Sequence, residues 1–230
     1  TEQKQSGPDL ANEPLMALYR HQWMRTDAPL TGHTYVSPRG TMKLLAGSRF
    51  TTRAPLGTLL PVLPDAGTYD RGLLEGLVNM ECNRDAFKPG LEGTRDSYWE
   101  GKNFGRAGNL AWIAHEIGDE ESRDDMLDAL RDELEDWFDG KAPRYYYYDD
   151  TWRTLIGVPT MYHSSAQMND HHFHYAYYVF AAATVARHDR AWGEKWAPFV
   201  EMLIKDAGNW DREATRFPVP RHFDPYAGHS

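Results

Sequence analysis

From Tyr69 onward apolar residues recur every three or four positions, through segments near 70–86, 96–117, 120–138, 168–188 and 191–207, and this period commits most of the chain to helix. The segment at 96–117 follows Thr94-Arg-Asp96, a plausible cap, and stops near Gly118. The next carries Met126, Leu127, Leu130, Leu134, Trp137 and Phe138 on one stripe, acidic and basic residues elsewhere, and a stop at Gly140. Residues 1–68 read differently. They hold seven of the fourteen prolines, with short β-prone runs at Tyr35–Val36, Met42–Leu45 and Phe50–Thr52. The expected organisation is a short β-rich entry segment over 1–68 and a mainly α part over 69–230. Periodicity alone leaves a closed bundle and part of a toroid of helical hairpins equally open.

Charge narrows the partners. With 25 basic against 34 acidic residues, a net charge of −9 and no Lys/Arg-rich run, the chain offers no nucleic-acid or anionic-membrane surface. No apolar stretch approaches the roughly 20 residues of a membrane span, and Thr1–Asp9 has no signal-peptide core. Eight Trp and thirteen Tyr suit a neutral, amphipathic ligand such as a sugar, which binds flat apolar faces edged with hydroxyls. Cys82 is the single cysteine, so no intrachain disulfide can form, and it is expected to be a small buried residue on a helix.

The densest chemistry lies in Asn169-Asp-His-His-Phe-His-Tyr-Ala-Tyr177. It opens an apolar run, Tyr178–Ala186, that is too long for an average strand, so Asp170 and His174 are expected one turn apart on one helix face, with Asp170 near the N-terminus. His163, His171, His172 and His174 invite a metal. They lack the His-Glu-x-x-His spacing, however, and no Cys or Glu completes a set nearby, so no metal or other cofactor is expected. Histidines bonded to loop carbonyls are a structural alternative. A carbohydrate site explains more of the cluster, because glycosidic hydrolysis needs a carboxylic acid at the leaving oxygen, a second carboxylate, and donors and rings to hold the sugar. Asp170 supplies one carboxyl, His174 can bond a hydroxyl or Asp170, and Tyr175 and Tyr177 offer rings. A helix N-terminus lowers a carboxyl pKa while a general acid needs it raised, so burial or a second carboxylate must prevail.

Two further stretches suit the same ligand. Tyr98 and Lys102 fall one turn apart, with Arg106 a turn beyond, opposite Leu110, Ile113 and Ile117; a solvated face is the plain alternative. Tyr145-Tyr-Tyr-Tyr148, read as a strand, puts two rings on each side, either as a stacking platform or as packing.

Taken together, Asn169–Tyr175, Thr154-Leu-Ile-Gly157, Tyr98-Trp-x-Gly-Lys102-x-x-Gly-Arg106, Arg39–Lys43 with Ala46-Gly47, and Phe223-Asp-Pro-Tyr-Ala-Gly-His-Ser230 resemble glycoside hydrolase family 81, the endo-β-1,3-glucanases. The chain departs from the family pattern at Ala176, where Gly is usual. The resemblance implies a partial (α/α)6 toroid and inverting, endo-acting hydrolysis of glucans such as laminarin or curdlan. It matches Asp170 to the general acid and places Tyr98, Lys102, His174, Asp224 and His229 along the glucan cleft, where Tyr175 is expected too. The general base, a glutamate pair in the family, is expected beyond Ser230. The family's N-terminal β-sandwich is expected outside the chain as well, with 1–68 as linker. The partner is then a β-1,3-glucan, the protein a monomer, and the destination extracellular. A noncatalytic glucan-binding helical module, with Asp170 only a cap, is the alternative.

Overall fold

The computed structural model describes residues 13–53, 67–82, 96–141 and 143–219. The chain divides into two units, Thr1–Leu59 and Leu60–Ser230.

In the first unit, strands β1 (Leu15–Leu18), β2 (Thr34–Ser37) and β3 (Gly40–Ala46) form an antiparallel sheet in the order β1-β3-β2, with a single-turn helix α1 (Arg20–Trp23) after β1. Leu15 faces Ala46 across one edge of β3 and Thr34 faces Lys43 across the other. Leu18, Met42 and Leu45 are its buried apolar side chains. The turn between β2 and β3 reaches Gly40 at φ 96°, a left-handed backbone that glycine adopts without steric cost. Two of the expected β-prone runs lie inside β2 and β3, whereas Phe50–Thr52 forms no strand. The four-residue β1 has no sequence signal of its own and is extended because its backbone pairs with β3.

The second unit contains helices α2 (Arg71–Glu81), α3 (Trp99–Ile117), α4 (Glu120–Phe138), α5 (His171–His188) and α6 (Arg190–Gly208), and a hairpin of β4 (Tyr145–Asp149) with β5 (Thr154–Val158). Local chemistry sets most of the ends. Asp70 accepts from the Leu73 amide, Asp119 from that of Ser122 and Asp189 from that of Trp192, each at 3.0 Å, which satisfies otherwise orphaned N-terminal donors. Asp96 takes the Tyr98 and Trp99 amides at the entry to α3, and Gly118 closes that helix at φ 77°. Cys82, buried at the end of α2, has its thiol pushed up to about 11, first by burial and then by Asp119 and Asp125.

Helices α3 and α4 pack as one hairpin, α5 and α6 as a second, and α3 lies against α5. The core seals around Trp137, Tyr146 and Tyr178, whose rings meet at centroid distances of 5.2–5.5 Å, with Phe104 edge-on to Tyr178 at 5.0 Å. The α4 stripe is buried as its spacing predicts. On α3 the buried stripe is Phe104, Ala107, Ala111 and Ala114, while Leu110 and Ile113, expected to face inward, are half-buried. Small residues mark the inner face because α5 comes so close: a Cβ on Gly105 would stand 2.8 Å from Tyr177, and one on Gly108 2.7 Å from Phe180. Arg144, just ahead of β4, ties the two helices of the first hairpin together by bonding Glu100 of α3 and, at 2.8 and 2.9 Å, Glu133 and Asp136 of α4.

Candidate active site

Between β5 and α5 the chain runs through four non-glycine residues in left-handed backbone: Tyr162 (φ 51°), His163 (φ 60°), Met168 (φ 54°) and Asp170 (φ 60°). Such residues cost about 1–3 kcal/mol each and persist only where surrounding contacts over-determine them. Asp170 is the residue before the first turn of α5, and its carbonyl accepts from the Phe173 and His174 amides at 3.0 Å. Its side chain makes no capping bond. The half-buried Asp170 lines a cavity of about 280 Å³ together with Tyr98, Tyr162, Phe173 and His174, and its Oδ2 accepts from Asn169 Nδ2 at 3.4 Å.

The walls of this cavity are held from behind. His174 Nδ1 bonds Ser97 Oγ at 2.9 Å, and its ring stands 5.2 Å from Tyr98. Burial lowers the His174 pKa below its ordinary value, and the neighbouring His171 pushes the same way, so the neutral imidazole is favoured near neutral pH. Tyr98 also meets Tyr162 edge-on at 4.9 Å. A larger hollow of about 610 Å³ lies along the seam of α3 and α5, where Lys102, Arg106 and Asn109 face Ala176, Tyr177 and Phe180. Lys102 Nζ is 4.7 Å from the Trp99 ring and 5.7 Å from that of Tyr98.

Of the residues singled out in the sequence, Tyr98, Asp170 and His174 line one cavity and Lys102 lines the other. Asp224 and His229 lie outside the described residues. Tyr175 is a correction. It is 1% exposed, with its hydroxyl donating to the Leu155 carbonyl at 2.6 Å, because it shares the inward stripe of α5 with His171, Tyr178 and Ala182. The exposed Ala176 lines the larger hollow. Among the described residues no group of three His, Cys, Asp or Glu side chains is placed to hold a metal ion. His171 is instead committed to Asp206 at 2.6 Å and to the Ser164 carbonyl at 2.9 Å. The sequence reading missed Tyr162 and Asp206. Tyr162 lies in an aperiodic loop, and Asp206 is one acidic residue on an otherwise ordinary helix.

A paired-hairpin helical domain with an aspartate lining an aromatic, polar cavity is the kind that carbohydrate-active enzymes use. The chain belongs to glycoside hydrolase family 81: residues 71–230 match the model of the glycosyl hydrolase family 81 C-terminal domain. It is 44% identical over 225 residues to a glucan endo-1,3-beta-D-glucosidase of Thermobifida fusca, covering 95% of this chain and 29% of that protein. It is 43% identical to another of the same name from Acetivibrio thermocellus, covering 94% and 28%. A solved structure of a glycoside hydrolase family 81 mutant from Clostridium thermocellum superposes with a TM-score of 0.81 at 40% identity, covering 99% of this chain and 32% of that one. The chain therefore spans about three tenths of the length of these relatives.

Proposed function

We propose that this chain contributes the acid-bearing part of an enzyme that cleaves β-1,3-glucan internally with inversion, and that Asp170 is the general acid. The observation that carries the reading is Asp170: it occupies the position of a helix cap, leaves the cap bond unmade, and lines a cavity walled by rings and a buried imidazole. Breaking a glycosidic bond requires a proton on the departing oxygen as positive charge builds at the anomeric carbon. A carboxyl beside the ligand can deliver that proton, which one spent on helix amides cannot. The names of the relatives point to β-1,3-glucan as substrate.

The remaining roles follow from the same reading. Tyr98 and Tyr162 offer faces to a sugar ring and His174 bonds a hydroxyl. Lys102, with Asp224 and His229, grips neighbouring glucose units. The base that activates water comes from outside this chain, on an element facing Asp170 across a gap of about 6.5–9.5 Å, as inversion requires. The hairpins α3/α4 and α5/α6 are two of those of an (α/α)6 toroid. The enzyme is secreted, to meet a polysaccharide outside the cell; among the described residues no helix is long and apolar enough to cross a membrane.

The test is Asp170→Asn in the intact enzyme. Laminarin binding is retained while turnover drops by a factor of about 10² or more, the share general acid catalysis carries. Proton NMR of the first product shows the α anomer. Near-normal turnover by the variant would overturn the reading in favour of a noncatalytic glucan-binding module, and a β anomer would overturn inversion.

A further inference from the structure

His171, the first residue of α5, is buried, and both of its ring nitrogens meet oxygen acceptors. Nε2 lies 2.9 Å from the carbonyl of Ser164, an oxygen that can only accept, so Nε2 carries a proton. Nδ1 lies 2.6 Å from Oδ2 of Asp206. The other carboxyl oxygen of Asp206 accepts from the Leu155 amide and the Thr154 hydroxyl, each at 2.8 Å. The Thr154 oxygen also lies 3.3 Å from Nδ1, so β5, α6 and α5 meet at this ring. Asp206 and His171 have side chains 0% and 1% exposed, and a charge of either sign is tolerated there only against its partner. The groups facing the ring are Asp206 from α6, Thr154 from β5, Ser164 from the loop, and Tyr175 and His174 on its own helix.

We propose that His171 is a positioning residue: a buried ring fixed by Asp206, whose Nε2–H grips the Ser164 carbonyl and so holds the left-handed segment that carries Tyr162 and Asp170. Ser164 lies two residues after Tyr162 and six before Asp170, within the stretch whose backbone is least favourable on its own. A bond from a rigid, buried ring to the middle of that stretch supplies the over-determination it needs. The role in turnover rests on Asp170 as the acid; the anchoring of the segment does not.

Nitrogen-15 NMR of the histidines tests the bond: in the wild-type protein Nε2 of His171 carries a proton, and it keeps that proton in Asp206→Asn. A wild-type Nε2 without a proton would overturn the proposal. Positioning is tested with two amides of different reach: His171→Asn can meet Asp206 but not Ser164, whereas His171→Gln can reach Ser164. In the intact enzyme the Asn variant lowers kcat on laminarin by about tenfold or more with KM changed by less than about threefold, as misplacement of a reacting group does, and the Gln variant recovers most of the loss. Protease cleavage within 159–170 rises in the Asn variant and not in the Gln variant. Wild-type kcat and wild-type protease resistance in His171→Asn would sink the idea. Normal turnover in Asp170→Asn would remove only the catalytic reading beneath it, since the protonation and protease results report on the anchor directly.

Discussion

His174 shows how one side chain can carry both the wall of a site and part of the pH response of the fold. Its pKa is lowered first by burial and then by the charge of His171, so the folded protein resists protonating it. The unfolded chain takes up that proton as pH falls through about 6.5, the ordinary value. More protons are then bound by the unfolded state than by the folded one, so the contribution of His174 is fully present above that pH and is lost as pH drops below it. Urea unfolding at pH 7.5 and 5.5 should show a smaller loss in His174→Gln than in the wild type. An identical loss in the two proteins would mean that other groups carry the effect. Tyr175 teaches the complementary lesson, since only its helical phase, shared with His171 and Tyr178, separates a core phenol from a cavity wall.

Among the elements, α3 is the one whose role depends most on what it lacks. Its glycines let the rings of α5 approach, and those rings form one side of the larger hollow. Two substitutions of the same kind should therefore have opposite signs. Gly105→Ala puts a methyl 2.8 Å from the Tyr177 ring. The overpacking costs about 1–3 kcal/mol, which exceeds the gain of about 1 kcal/mol in helix propensity, so the variant is less stable and Tyr177 is displaced. Gly76 on α2 has open space around its would-be Cβ and is exposed, so Gly76→Ala stabilises by about 0.5–1 kcal/mol. Parallel urea titrations of the two variants check this; a stabilised Gly105→Ala would mean that α5 can retreat without cost.

At the scale of the helical unit, Arg144 joins α3 and α4 at the entry to β4. Its guanidinium, with a side chain 3% exposed, satisfies carboxylates of α3 and α4 where the chain turns into β4. Removing it takes a cation from beside Glu100, whose side chain is 0% exposed. Arg144→Met should destabilise by about 3–5 kcal/mol, the usual cost of breaking a buried pair, and adding Glu100→Gln should return part of that by removing the buried charge. Equilibrium denaturation of the single and double variants measures both. If the double variant were no more stable than the single one, the burden would lie on Glu133 and Asp136.

What the sequence determined by itself was whatever local physics decides. The stripe and ends of α4 follow from apolar spacing, an Asp cap and a glycine stop, and the one-turn relation of Asp170 to His174 follows from helical period. Tertiary structure decided the rest, because these outcomes depend on partners remote in the chain. The strand β1 exists through β3, the inner face of α3 is marked by glycine and alanine through its closeness to α5, and Tyr98 reaches His174 because two helices pack together. The unmade cap of Asp170 belongs to the same category. Capping preference alone predicts a bond from its carboxyl to the helix amides, whereas its backbone is left-handed and the residue lines the cavity beside Tyr98 and His174.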